Sequence, residues 1–221
     1  MYDIKYESYP LTNEYVFTRA TTEEHKNKDF NRSGKGARRF DPLWNANGAV
    51  IGTTYLALSA NVALQETHIR RDSLSGLNTC SYIKEKDTDK NPSLLTQIKG
   101  STTGASLNFI DLETTTIDGE ALAPYLRLGK DELSLEKTKR AYAAGQWAAM
   151  VLLDNIEGFH GFTWHSYQRN VQGERCFVLF DNRCKDVSFQ LMNEIELRSL
   201  SGTMALTDAC KSVDATMYLV E

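Results

Sequence analysis

The spacing of apolar and polar positions predicts a strand that runs directly into a helix early in the chain. The stretch "TTYLAL", residues 53–58, is rich in β-branched and aromatic residues and too short for a helix, so it predicts a buried strand. Ser59 follows it, and a serine hydroxyl can accept a hydrogen bond from the first helical turn. We therefore predict a helix from Ala60 to about Arg70.

One carboxylate lies on the packed side of this predicted helix. At about 100° per residue, Val62, Glu66 and Ile69 share one stripe. Glu66 could form a surface ion pair with Arg70, which would contribute only about 0.2–0.5 kcal/mol. It could instead lie at the rim of a pocket, where partial desolvation and nearby cations make a carboxylate chemically useful. The pattern alone leaves both interpretations open.

The second half of the chain predicts one long helix and three strands. The helix begins near Ser134 and ends before Gly158, and its Gly145 should cost about 1 kcal/mol relative to Ala unless another element packs closely there. The predicted strands are "SLNFIDL" at 106–112, "GFTWHSY" at 161–167 and the start of "CFVLFDNR" at 176–183. Alternation within the second strand places Ser166 on the same face as the aromatic residues before it.

Two polar stretches separate these elements. Residues 21–48 are charged and contain several glycines, which indicates a long loop, and loops of that length are often functional. Residues 72–104 contain the charged run "KEKDTDKNPS" and predict a solvated excursion before the strand at 106.

Composition favours a single domain with a full core. The chain has 221 residues, of which 41% are hydrophobic and 10% aromatic. A net charge of −4 and a pI near 5.7 argue against broad nucleic-acid binding. No apolar run is long enough to cross a bilayer, and the first ten residues lack the features of a signal peptide. We therefore expect a cytoplasmic protein.

The cysteines and histidines give no sign of a metal site or a disulfide framework. The four cysteines, Cys80, Cys176, Cys184 and Cys210, are widely spaced in a chain large enough to fold without cross-links. Zinc sites use Cys or His pairs at short spacing, and no histidine here is paired with a cysteine in that way. We expect reduced thiols and no bound metal.

Three pieces of the sequence, in this order, resemble the RES-domain family, which is named for an arginine, a glutamate and a serine. They are "RRFDP", "TYLALSANVALQE" and "GFTWHSY" followed by "RCFVLFDNR". Matched to the family pattern, the arginine is Arg39, the tyrosine at the start of the strand is Tyr55, the glutamate is Glu66 and the serine is Ser166. Arg19 in "VFTRA" is similar to an early basic residue of the family, although it can equally be a surface arginine.

The chain departs from the family pattern at two positions. Many members have "GRWN", where this chain has "PLWN" with Leu43, so the site arginine has to be Arg39 or its neighbour Arg38. We choose Arg39, because it directly precedes Phe40 as in the "RF-x-P" form. Members often have an asparagine where this chain has Cys176, which weakens or removes a polar contact at the start of the last strand.

The resemblance implies a single α+β domain over residues 1–221, with small β-sheets and flanking helices similar to those of ADP-ribosyltransferases. It implies a toxin that consumes NAD as substrate, without a metal, by hydrolysis, phosphorolysis or ADP-ribosyl transfer. Family toxins are usually encoded with a helix-turn-helix antitoxin that covers the active site, and assembly into a homo-oligomer stays open. The alternative is a catalytically inactive module that binds NAD or a partner on the same fold.

The residue types suit this chemistry. Breaking the nicotinamide–ribose bond builds positive charge on the sugar, which the carboxylate of Glu66 would stabilise. Arg39 has the forked donors that fit a pyrophosphate, and Tyr55 can stack on the substrate or hydrogen-bond to it. Ser166 is expected to position the nicotinamide amide or the ribose. A nucleophilic role is not favoured, because the adjacent His165 should point to the opposite face.

Overall fold

The computed structural model describes residues 1–10, 16–26, 30–34, 39–71, 78–83, 92–102, 106–122, 135–166 and 174–220. Within them, the helices are α1 (Ala60–His68), α2 (Leu135–Asn155) and α3 (Leu200–Lys211). The strands are β1 (Tyr2–Asp3), β2 (Tyr6–Pro10), β3 (Phe17–Thr22), β4 (Leu43–Trp44), β5 (Val50–Ile51), β6 (Thr53–Ala57), β7 (Ile69–Arg71), β8 (Asn78–Ile83), β9 (Ser93–Thr102), β10 (Ser106–Asp111), β11 (Thr116–Ile117), β12 (Glu120–Ala121), β13 (Gly161–His165), β14 (Arg175–Phe180), β15 (Val187–Glu196) and β16 (Thr216–Val220). The predicted α+β class is confirmed.

One large sheet organises the domain. Its strand order is β15-β9-β3-β6-β14-β13-β10-β2, with β10 and β13 parallel and the other neighbours antiparallel. Strands β6 and β14 pair over five residues, whereas the described residues of β3 and β6 are joined by the single pair Thr18↔Ala57. The sheet therefore has a narrow junction between β3 and β6. Three small sheets, β1-β11-β12, β16-β8-β7 and β4-β5, complete the fold.

Two apolar clusters lie on opposite faces of this sheet. The main cluster gathers side chains from all three helices around one face of β6, β13 and β14, including Leu64, Leu152, Phe162, Val178 and Leu206. The second cluster takes the alternate positions of β6 and β14, including Leu56, Phe177 and Leu179. It also contains Phe17, Ile98 and Phe109. Because β14 is buried on both faces, its sequence "CFVLF" is a continuous apolar run.

Helix α1 begins where the sequence predicts and ends two residues early. Ser59 Oγ accepts a hydrogen bond from the backbone N–H of Val62 at 3.2 Å, which confirms the predicted N-cap. The helix ends at His68, and Ile69 and Arg70 belong to β7, where they pair with β8. The prediction that Ile69 continues the helical stripe is therefore wrong, because the backbone of Ile69 pairs with Cys80 of β8.

The prediction of a solvated excursion at 72–104 is wrong where the structure describes strands β8 and β9. Strand β8 pairs with β7 and β16, and its Cys80 is buried. Strand β9 lies inside the main sheet and pairs with both β3 and β15. Its Leu94, Leu95 and Ile98 are buried, and so is the polar Thr96. The charged run at 84–91 lies outside the described residues. The polar residues of β9 concealed a strand inside the sheet, because its pairing partners, β3 and β15, lie in distant parts of the chain.

The other predicted elements are confirmed, with shifts of one or two residues. Strand β10 and helix α2 fall within the predicted ranges, β14 begins one residue before its predicted start, and β13 covers "GFTWH". All four cysteines are buried, and none of them forms a disulfide. In the part of the chain that the structure describes, no helix has the length and apolar character to cross a membrane.

Candidate active site

Glu66 and Ser166 meet at the centre of the candidate site. Glu66 lies on α1 and Ser166 directly follows β13, 100 residues further along the chain. Ser166 Oγ donates a hydrogen bond to Glu66 Oε1 at 2.9 Å. Ser166 is only 1% exposed, while Glu66 is half-buried and so remains within reach of solvent or a ligand. The contact favours the pocket interpretation of Glu66 over the surface pair with Arg70, which lies beyond the end of the helix.

An aromatic cluster brings the "RRFDP" segment to the same face of the sheet. The ring of Phe40 lies 5.5 Å from that of Phe162 and 5.5 Å from that of Trp164, measured between centroids. Both partners belong to β13 and point the same way as Ser166, as the alternation predicts. Phe40 is 1% exposed, so burial of its ring anchors the segment beside the Glu66–Ser166 pair.

Arg39 lies against helix α2 next to this anchor. A Cβ placed on Gly145 would stand 3.1 Å from Arg39 Cγ and 3.1 Å from the Arg39 carbonyl oxygen. Gly145 thus opens the space through which the Arg39 backbone passes, which is the close packing that the sequence required for a mid-helix glycine. Leu43, the residue that departs from the expected pattern in "PLWN", is buried in the main cluster. Arg38 lies outside the described residues.

Tyr55 connects the central sheet to the same segment. Its hydroxyl oxygen accepts a hydrogen bond from the backbone N–H of Phe40 at 3.0 Å. The side chain is half-buried, and it points to the same face of β6 as Ala57, which belongs to the main cluster. Tyr55 therefore holds the Arg39–Phe40 backbone in place, a role that the sequence did not predict.

A comparison with known protein families identifies the family of this chain. The family model described as the RES domain matches residues 16–198, which is most of the chain. The chain belongs to the RES-domain family. No curated protein and no solved structure matches it. The matched range of this RES-domain protein contains all five residues selected from the sequence: Arg19, Arg39, Tyr55, Glu66 and Ser166.

Arg19 lies in a different environment from the other residues selected from the sequence of this RES-domain protein. It is 8% exposed, and its guanidinium donates to Thr54 Oγ1 at 3.2 Å and to the carbonyl oxygens of His25 and Lys26 at 2.8 and 2.9 Å. Thr54 and Tyr55 are consecutive on β6, so their side chains point to opposite faces. Arg19 therefore contacts the face away from Tyr55, where it fixes the turn after β3.

Cys176 is packed rather than exposed in this RES-domain protein. It is 2% exposed, lies in the main cluster and stands opposite Trp164 and Ala57 on the neighbouring strands.

In the described residues, no group of three or more His, Cys, Asp or Glu side chains could hold a metal ion.

One buried acidic residue beside the site was not predicted from the sequence. Asp41, in the RES-domain "RRFDP" segment, is 0% exposed. Its carboxylate accepts a hydrogen bond from Asn31 Nδ2 at 2.9 Å, and its carbonyl oxygen accepts one from Gln146 Nε2 at 3.2 Å. A signal was present, since a carboxylate between a phenylalanine and "PLW" is surrounded by apolar residues.

Proposed function

We propose that this protein cleaves the bond between nicotinamide and ribose in NAD. The observation that carries the proposal is the hydrogen bond between Ser166 and Glu66. It joins the glutamate and the serine of the family pattern, which are far apart in sequence, beside the segment that contains its arginine. The match to the RES domain adds support from an independent comparison.

Glu66 would stabilise the positive charge that develops on the ribose as the bond breaks. Nicotinamide leaves as a neutral ring, so a general acid is not needed, and one oriented carboxylate can suffice. The bond from Ser166 holds one oxygen of Glu66 and so restricts rotation of the carboxylate. Such preorganisation is worth most where water is partly excluded, as at this half-buried position.

Ser166 takes a more specific role here than the sequence indicated. The expectation was contact with the nicotinamide amide or the ribose. A serine that is 1% exposed and donates to Glu66 is better suited to orienting the carboxylate than to touching substrate. We therefore assign Ser166 to positioning Glu66, and its direct contact with NAD becomes the competing hypothesis.

The negatively charged pyrophosphate of NAD needs a cation to bind it. Arg39 is the proposed ligand of the pyrophosphate, because it is half-buried next to Phe40 and a guanidinium can make two parallel bonds to phosphate oxygens. Tyr55 would support it from β6 and border the substrate. Arg19, the other cation selected from the sequence, is not proposed as a ligand, since its guanidinium bonds Thr54 and two carbonyl groups on the face away from Tyr55.

The biological setting is part of the same proposal. The RES-domain resemblance supports a toxin that acts in the cytoplasm and is neutralised by a helix-turn-helix antitoxin covering the active site. The acceptor of the ADP-ribose part would be water, phosphate, a protein or a metabolite, and the products identify which. Self-association of the chain is compatible with each of these.

Incubating the purified, antitoxin-free protein with NAD tests the proposal. We expect release of free nicotinamide, and the mass of the second product distinguishes hydrolysis, phosphorolysis and transfer. Glu66→Gln should lower turnover at least about 100-fold while the melting temperature stays native, because it removes one preorganised charge. Turnover unchanged in a natively stable Glu66→Gln protein would contradict the role of Glu66.

A second candidate function is NAD or partner binding without catalysis. The observations that favour it are the burial of Leu43 and Cys176 at positions where many family members have polar residues. Binding of NAD by the folded wild-type protein, with no nicotinamide above a buffer control, would select this alternative.

A further inference from the structure

Three anchors fix the turn that follows Arg39. The backbone N–H of Phe40 donates to Tyr55 on β6 at 3.0 Å. The carbonyl oxygen of Asp41 accepts a bond from Gln146 on α2 at 3.2 Å. The third anchor is the Asp41 carboxylate, which Asn31 Nδ2 reaches at 2.9 Å. Two consecutive residues are therefore tied to the central sheet, to the long helix and to a preceding loop.

The Asn31 anchor is itself tied to the central sheet. The backbone N–H of Asn31 donates to the Thr53 carbonyl at 2.8 Å, and the N–H of Thr53 donates back to the Asn31 carbonyl at 3.1 Å. Thr53 begins β6, two residues before Tyr55. A closed set of hydrogen bonds therefore links β6 to Asn31 and Asn31 to Asp41. Phe40, the residue before Asp41, is bonded back to β6 through Tyr55.

A completely buried carboxylate is an unfavourable choice for a purely structural turn, since desolvation opposes it unless hydrogen bonds hold it. One donor to this carboxylate, Asn31, lies outside the helices and the named strands, and the residue two positions before Asp41 is the proposed phosphate ligand. We propose that Asp41 is a positioning residue for NAD binding, which holds Arg39 in the space beside Gly145 so that its guanidinium faces the pyrophosphate. This inference rests on the proposed function.

The role predicts a particular kinetic pattern. Arg39 would contact phosphates that do not change charge when the nicotinamide bond breaks, so it binds ground state and transition state alike. Asp41→Ala should therefore raise KM for NAD about tenfold or more while kcat changes less than about threefold. Asp41→Asn keeps an oxygen that can accept from Asn31, so it should retain a KM within about threefold of wild type.

Exchanging the two partners gives a rescue experiment. Asn31→Asp alone places two carboxylates against each other and should raise KM at least as much as Asp41→Ala. The double variant Asn31→Asp/Asp41→Asn restores one donor and one acceptor and should recover most of the affinity. The matched control is Asp111→Ala, which removes another buried carboxylate, one that is paired with Arg175. It should lower stability without changing KM.

A fluorescence measurement tests the positioning without NAD. The protein has three tryptophans, of which Trp44 and Trp147 are exposed and Trp164 is buried against Phe40. In a Trp44→Phe/Trp147→Phe background, Asp41→Ala should make Trp164 more accessible to acrylamide, because the segment carrying Phe40 loosens. Asp41→Asn and Asp111→Ala should leave the quenching unchanged.

The outcomes separate this inference from the function on which it rests. A wild-type protein that neither binds nor cleaves NAD would overturn the proposed function, and the quenching series would still decide whether Asp41 holds the segment. With NAD cleavage established, an unchanged KM in Asp41→Ala, a loss confined to kcat, or no recovery in the exchanged pair would overturn the positioning role.

Discussion

Replacing Ser166 with Ala tests whether this serine acts through Glu66. The change removes a hydrogen bond of 2.9 Å to a carboxylate, and bonds to charged groups contribute about 1.5–3 kcal/mol. Water can replace part of it, because Glu66 is only half-buried, so we expect the lower end of that range. A loss of about 1.5 kcal/mol in transition-state stabilisation corresponds to roughly a tenfold fall in kcat.

The assay is a double-mutant cycle on nicotinamide release, using wild type, Ser166→Ala, Glu66→Gln and the double variant. If Ser166 works by orienting the carboxylate, its replacement should cost little once Glu66 is already Gln. Thr163→Val is the matched control. Thr163 is also buried, and its hydroxyl donates to the Cys176 carbonyl at 3.1 Å, so the change should affect stability and not turnover. Fully additive effects would refute the reasoning and return Ser166 to direct contact with NAD.

Three further predictions concern the phosphate ligand, the mid-helix glycine and a buried thiol. In a Glu66→Gln background, Arg39→Ala should weaken NAD binding about 10- to 100-fold and Arg38→Ala should change it little, as titration will show; the reverse result would shift the register of the loop by one residue. Gly145→Ala should leave the free energy of unfolding within about 1 kcal/mol, because a better helix propensity offsets crowding against Arg39 at 3.1 Å, while NAD affinity falls; unchanged affinity would contradict this arrangement. Burial raises the pKa of Cys184 from 9.0 to about 12, so the folded state holds this proton more tightly than the unfolded chain, and stability should fall as pH rises from 9 towards 12. Urea unfolding should show that Cys184→Ala removes a dependence of about 1.4 kcal/mol per pH unit in that window, and equal slopes would count against it.

Local patterns predicted the elements whose own residues decide their structure. Strand β6, helix α2 and the N-cap at Ser59 follow from apolar spacing and from a hydroxyl at the right position. Strand β9 could not be predicted in this way, because Thr96 is buried only through pairing with β3 and β15. Its structure depends on partners that are remote in sequence.

The same distinction between local patterns and contacts remote in sequence applies to the candidate site. The family pattern selected Glu66 and Ser166, but their hydrogen bond joins residues 100 positions apart and depends on how α1 packs near the end of β13. Arg19 shows the opposite case. Its position in the pattern indicated substrate binding, whereas the pairing of β3 with β6 directs its guanidinium towards Thr54. Side-chain direction at such positions is a property of the sheet and not of the local sequence.

Strand β15 also affects how this protein behaves in concentrated solution. It is a ten-residue edge strand of the main sheet, and the backbone groups of an exposed edge can recruit strands from other molecules. Its register with β9 shifts between Leu191 and Asn193, which leaves Met192 as an extra residue outside the ladder. A bulge of this kind bends and twists the edge, so an incoming strand meets a broken row of donors and acceptors. The irregularity at Met192 thus guards the domain against edge-to-edge aggregation.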